Sequence, residues 1–226
     1  MINYRMEGEV AVLQMDDGKA NVLGHTMIDA LNENLDRAEG EAKATVLVGR
    51  EGMFSGGFDL SEFAKGAEAS LELVKRGFPL LLRLFQHPQP LVAACSGHAI
   101  AAGSFMLLAC DSRVGAAGGY KHRLPETAIG MTMPGVLHEL AAARISPRFL
   151  TAAVIQAKVF DPELAVQVGF LDELANADTV EKRAIEEANE LAQMPTATYA
   201  QNKVDCRKYS IERMQASIED VLATKM

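Results

Sequence analysis

Residues 8–16, GEVAVLQMD, alternate apolar and polar positions closely enough to predict a β-strand. Past a short loop the period changes. Met27, Ile28, Leu31, Leu35 and Ala38 recur at helical spacing and predict a helix over HTMIDALNENLDRAE. ATVLVGR at 44–50 is a short apolar run of strand type. Residues 67–86 predict a second helix, with Leu71, Val74, Phe78, Leu81, Leu82 and Phe85 on one face. Pro79 is expected to kink or interrupt it, and Pro88 and Pro90 mark its end. PLVAACSG then predicts a strand, the run after Gly97 a buried helix, and CDSRVGAA a further strand.

Strands separated by helices argue for an α/β arrangement with crossover connections. From Ser146 the pattern is almost wholly helical. Ser146-Pro147 and Asp161-Pro162 each read as an N-cap followed by proline at the first helical position. Further helices are predicted over 178–193, 196–208 and 210–224, separated by Pro195 and by Tyr209-Ser210. The chain is therefore divided into an α/β core, 1–145, and a helical C-terminal region, 146–226, suited to oligomer formation and to covering a site. No internal repeat or low-complexity tract is visible.

Composition narrows the partners more than the fold. A chain of 226 residues at net charge −8, with no basic block, gives nucleic acid or an anionic membrane nothing to recognise. Three cysteines without CxxC spacing suit a reducing compartment. MINYRMEGEV lacks the pattern of a signal peptide, so a cytoplasmic location is expected. Residues 91–110 carry no Asp, Glu, Lys or Arg over the length of a membrane span. Ser96-Gly97-His98 and Gly103-Ser104 interrupt them, so strand, turn and buried helix fit better. The five histidines show no metal-ligand spacing, and no P-loop, GxSxG or GxGxxG motif is present. No metal and no separate cofactor is expected.

Three spots join backbone freedom to a polar group. The first is Ser55-Gly56-Gly57-Phe58-Asp59, either a surface turn or a loop whose bare N–H groups face a ligand. In the second, SGHAIAAGSF at 96–105, a glycine turn and small residues open a helix. Such a start offers free N–H groups to a partial negative charge, although small residues also serve close packing. The third is RLPETAIGMTMPG at 123–135, where Glu126 sits between Pro125 and an apolar run. A carboxylate in apolar surroundings has a raised pKa and exchanges protons near neutrality. An ordinary first-turn acid would look the same in the sequence.

FSGGFDL, PLVAACSGHAIAAGSFMLLACDSRVG and PETAIGMTMPG, in that order, resemble the crotonase superfamily, the enoyl-CoA hydratase/isomerase family. The resemblance implies a core of repeated ββα units, a helical C-terminal region, and assembly into homotrimers or homohexamers. It implies acyl-CoA thioester substrates, as in fatty acid metabolism, and an oxyanion hole made by the backbone N–H groups of Phe58 and Ala102. DGKANVL at 17–23 resembles the family's early coenzyme A loop, with Lys19 toward a phosphate and Ala20 and Val22 toward the adenine. Gly56, Gly57, Asp59, Leu60, Phe105 and Pro125 fall inside the motifs and are placed at the CoA or substrate site. Hydratases of the family carry two glutamates; here one place holds Phe105 and the other Glu126. A lone carboxylate is the pattern of Δ3,Δ2-enoyl-CoA isomerases. An enoyl-CoA hydratase, other crotonase chemistry, or a weakly catalytic acyl-CoA-binding protein remain as alternatives. Ala101-Ala102, where many members have glycines, also departs from the family pattern.

Overall fold

The computed structural model describes residues 1–224; Lys225 and Met226, at the end of the expected helical region, lie outside the described residues. β1 (Ile2–Glu7) and β2 (Val10–Met15) form an antiparallel hairpin that turns at Gly8, φ +66°. β1 has no fully buried residue and no clean alternation, so only β2 is legible in the sequence. β3 (Ala44–Val48), β5 (Leu91–Cys95), β7 (Ser112–Ala116) and β9 (Glu173–Ala175) add to β2 in parallel, completing a six-stranded sheet. β3 and β5 are buried at every position. Both faces of the sheet are covered, which is why these strands read as continuous apolar runs.

On one face Ala11, Leu13, Leu47 and Ala93 meet α1 (His25–Glu41) and α3 (Ala67–Phe85). On the other, Val12, Val46, Val92 and Val114 pack against Val180, Ala184 and Ala188 of α8 (Val180–Leu191). β9 and α8 both come from beyond residue 145, and β9 was not foreseen. α3 continues through Pro79 where an interruption was expected. Burial of Phe78, Leu80 and Leu81 on either side outweighs the one N–H that proline lacks.

A second sheet is made of β4 (Gly52–Ser55), β6 (Gly97–Ile100) and β8 (His122–Arg123), all parallel. The chain therefore repeats one unit: a strand in the large sheet, a strand in the small sheet, then a helix. The units are β3–β4–α3, β5–β6–α4 (Ala102–Ala109) and β7–β8–α5 (Gly135–Arg144), with a short α2 (Leu60–Phe63) before α3. The run after Gly97 was expected to be helical throughout, but its first three residues, 98–100, belong to β6. Gly97 explains the tight strand approach: a Cβ there would stand 1.9 Å from the Gly52 carbonyl carbon.

The remaining chain is α6 (Pro147–Leu150), α7 (Pro162–Val168) and α9 (Thr196–Ala223). Asp161 caps α7 by accepting from Leu164 N at 2.8 Å, whereas the Ser146 side chain makes no cap bond. The break expected at Tyr209-Ser210 is absent, since neither residue opposes helix strongly and Ile211, Met214 and Ile218 are buried nearby. α9 packs along α5. It is pinned by Asp111, whose carboxylate meets Lys203 Nζ at 2.5 Å, Arg207 at 2.8 Å and the Tyr199 hydroxyl at 3.1 Å. No helix among the described residues is long and apolar enough to cross a membrane.

Candidate active site

The three spots read from the sequence are the carboxyl ends of the three small-sheet strands. Ser55 is in register with Ala99, and Ile100 with Arg123. Parallel pairing therefore brings Gly56-Gly57-Phe58, Ala101-Ala102 and Pro125-Glu126 out on one edge. Ligands of parallel α/β sheets gather at that edge. Here it opens into a pocket of about 390 Å3.

The first segment is fixed from behind. Residues 20–23 run alongside 56–59: Gly56 N donates to Ala20 O at 2.8 Å, Leu23 N to Gly57 O at 2.8 Å and Asp59 N to Leu23 O at 3.2 Å. In this parallel bridge the Phe58 N–H turns away from Leu23. Gly57 has φ +97°, and a Cβ on it would stand 2.8 Å from Ala101 Cβ and 3.1 Å from Ala102 N. The two turns thus touch through a glycine, and only a glycine fits. Ala102 is the first residue of α4, so its N–H belongs to the free donors at the positive end of the helix. The N–H groups of Phe58 and Ala102 have no hydrogen-bond partner among the described residues.

Ala101 itself is strained, at φ +52° and ψ −127°. Such backbone costs about 1–3 kcal/mol and persists where the surroundings enforce it. Ala101 N donates to Arg123 O at 3.0 Å, and the buried Ser104 hydroxyl shares its one proton between Ala99 O at 2.6 Å and Arg123 O at 3.0 Å. These bonds tie the turn to β8.

Glu126 opens a short 3-10 turn, Glu126–Ile129, after Pro125. Its side chain lines the pocket, the residue is 7% exposed, and Oε2 is buried with no hydrogen-bond partner. Burial raises its pKa above the usual carboxylate range, while its own backbone N–H and the charge of Arg123 oppose this only in part. Among the described residues, Glu126 is the sole ionisable wall of the pocket. The walls are otherwise apolar apart from Thr132 and Thr224.

The other expected residues divide. Gly56, Phe58, Leu60, Ala102 and Pro125 line the pocket, and Leu60 stands 72% exposed at its rim. Gly57 lies buried just behind. Asp59 caps α2, accepting from Ser61 N at 2.9 Å. Phe105 does not line the pocket: α4 is buried along its whole length and encloses that ring in the core. Lys19, Ala20 and Val22 are not pocket walls either. They belong to a loop organised by Asp17, whose carboxylate accepts from Lys19 N at 2.7 Å, Asn21 N at 2.9 Å and Val22 N at 3.0 Å. Against the desolvation that burial imposes, these bonds hold Asp17 below its usual pKa.

Asn21 was missed. Buried at φ +49°, it donates to Met15 O and Phe54 O and ties this loop to β4. Its only sequence signal is an Asn beside a Gly-rich turn. Leu71, Val74 and Phe78 of α3 and Val221 of α9 complete the apolar wall. His122 lies outside it, 3.6 Å from the Cys95 sulfur; burial pushes that histidine down to about 4 and that thiol up to about 12.

The family model for enoyl-CoA hydratase/isomerase matches residues 5–221. The chain is 33% identical to a probable enoyl-CoA hydratase of Bacillus subtilis over 156 residues, which is 67% of this chain but only 58% of that protein. It is 28% identical to the human mitochondrial enoyl-CoA delta isomerase 1 over 210 residues, covering 91% of this chain and 70% of that one. A solved apo enoyl-CoA isomerase of Mycobacterium tuberculosis superimposes with TM-score 0.94 at 37% identity, covering 99% of this chain and 98% of that one. A second structure of the same mycobacterial protein bears the name probable enoyl-CoA hydratase.

Proposed function

The chain belongs to the enoyl-CoA hydratase/isomerase family, and from that premise we propose that it converts 3-enoyl-CoA into 2-enoyl-CoA. The observation that carries this reading is the solitude of Glu126 in an apolar pocket. Hydration needs two proton-handling groups around one water, and among the described residues the walls offer a single carboxyl. Isomerisation needs only one. Glu126 takes a proton from C2, and the electrons of that C–H bond pass into the thioester carbonyl. The oxygen gains negative charge beside the Phe58 and Ala102 N–H groups. Glu126, now protonated, returns its proton at C4 as the C3–C4 double bond moves to C2–C3.

A preorganised donor of this kind contributes about 10²–10³ in rate. A carboxyl with a raised pKa suits both halves of the transfer, since it must accept and release a proton in one turnover. In the same reading the acyl chain occupies the wall formed by Phe63, Leu71, Val74 and Phe78, and the 16–24 loop with Lys19 receives the coenzyme A end.

The test is the conjugated-thioester absorbance with two substrates. Absorbance should rise with 3-enoyl-CoA and stay level with trans-2-enoyl-CoA. A fall with the second substrate would establish hydration, and no change with either would leave a binding protein.

A further inference from the structure

Gly77 occupies the middle of α3, where nothing in the helix calls for glycine and alanine is the better helix former. Its φ lies outside the left-handed region that favours glycine. What it makes is room. A Cβ at this position would stand 2.2 Å from one ring carbon of Phe58 (Cε1) and 2.5 Å from another (Cζ). The Phe58 ring therefore presses into a notch in α3.

Two further rings hold it there. Phe78 meets Phe58 edge-on, with ring centroids 6.0 Å apart, and Phe63 stands tilted at 6.1 Å. Aromatic pairs favour such tilted and edge-on geometries. Phe58 also lines the pocket and carries the unpartnered N–H that turns away from Leu23, and its neighbour Gly57 abuts the Ala101-Ala102 turn. The side chain and the amide share one Cα, so a push on the ring that rotation about χ1 and χ2 cannot absorb is passed to the donor.

We propose that Gly77 is a positioning and specificity-determining residue. Its missing side chain seats the Phe58 ring, and that seat fixes both the direction of the Phe58 N–H and the width of the acyl wall beside Val74 and Phe78. The inference rests on the proposed function only in naming the ligand of that N–H as a thioester oxygen.

Gly77→Ala drives the ring out of the notch. Misplacement of a reacting group by an ångström costs about 10²-fold, so kcat for 3-enoyl-CoA should fall at least ~10-fold. Overpacking against the ring opposes the helix propensity that alanine adds, so the melting temperature should hold or fall by a few degrees. Phe58→Leu in the Gly77→Ala background removes the two clashing ring carbons and should restore kcat to within ~3-fold of the Phe58→Leu single variant. KM should respond to acyl length, shorter chains suffering least in Gly77→Ala. A folded Gly77→Ala enzyme with the parent's kcat overturns the proposal, as does a double variant more than ~3-fold slower than the Phe58→Leu single variant. Should Gly77→Ala not fold, Phe58→Leu alone decides, since it empties the seat: kcat must drop, and parental turnover overturns the proposal. If the parent protein turns over neither thioester, the functional reading fails. The seat is then judged from crystals of Gly77→Ala, where an unmoved Phe58 backbone would refute it.

Discussion

Gly57→Ala is a sharp structural perturbation of the site, because two independent penalties meet at one atom. The backbone stands at φ +97°, which an L side chain rarely adopts. That strain costs about 1–3 kcal/mol. The new methyl would also lie 2.8 Å from Ala101 Cβ, 3.0 Å from Ile100 O and 3.1 Å from Ala102 N. Overpacking of this kind costs about 1–3 kcal/mol more. A loss of about 2–6 kcal/mol in a chain of this size lowers Tm by about 4–24 °C. Ala101→Gly has the opposite effect: it relieves the strain at φ +52° and, after the added freedom of the unfolded chain, stabilises by about 1 kcal/mol. The two changes couple through the 2.8 Å methyl contact. The double variant should therefore be more stable than the sum of the singles by about 0.5–3 kcal/mol. Thermal melts of the four proteins by circular dichroism measure this. A Gly57→Ala melt within a degree of the parent, or strict additivity, would refute the account of how the two turns meet.

Ionisation of Glu126 predicts a pH-dependent difference in stability. Its folded pKa is raised by burial, so the stability this group contributes is fully present below its unfolded pKa and is lost as pH climbs through the folded value. Glu126→Gln cannot ionise; it should melt above the parent at pH 8, with the gap closing toward pH 4, and a constant gap would contradict the burial argument. Asp111→Ala strands Lys203 and Arg207 in a site where Lys203 is 4% exposed. Breaking a buried pair this way costs about 3–5 kcal/mol. Urea melts should show that loss, and because Val221 of α9 and Thr224 just past its end line the pocket, KM should rise as well.

What the sequence made legible was mostly local. The face of α1 and the apolar runs of β3 and β5 follow directly from periodicity, because both sheet faces are covered; in α3 the expected face omitted Leu73, Leu80 and Leu84, which are buried, while its Leu71 and Val74 line the pocket. The three spots that carry the site were visible as glycine turns and a lone acid. Their convergence was not readable from periodicity, because it depends on the register of β6, four residues long, and β8, only two. Strands that short leave no alternation to read. Phe105 marks a different limit. The motif gives its place in the chain, but only packing shows that α4 points that ring into the core. Val221 and Thr224 reach the pocket from nearly a hundred residues beyond Glu126, and nothing local to α9 marks them. The notch at Gly77 is likewise invisible until the Phe58 ring is placed against it.

The claim on which the chemistry depends is that one carboxyl carries the hydrogen. Turnover of 3-enoyl-CoA by Glu126→Gln, followed by absorbance alongside coenzyme A thioester binding by calorimetry, addresses it most directly. The account predicts undiminished binding and loss of the absorbance rise. A Glu126→Gln protein that still forms the conjugated product at the parent's rate would contradict it.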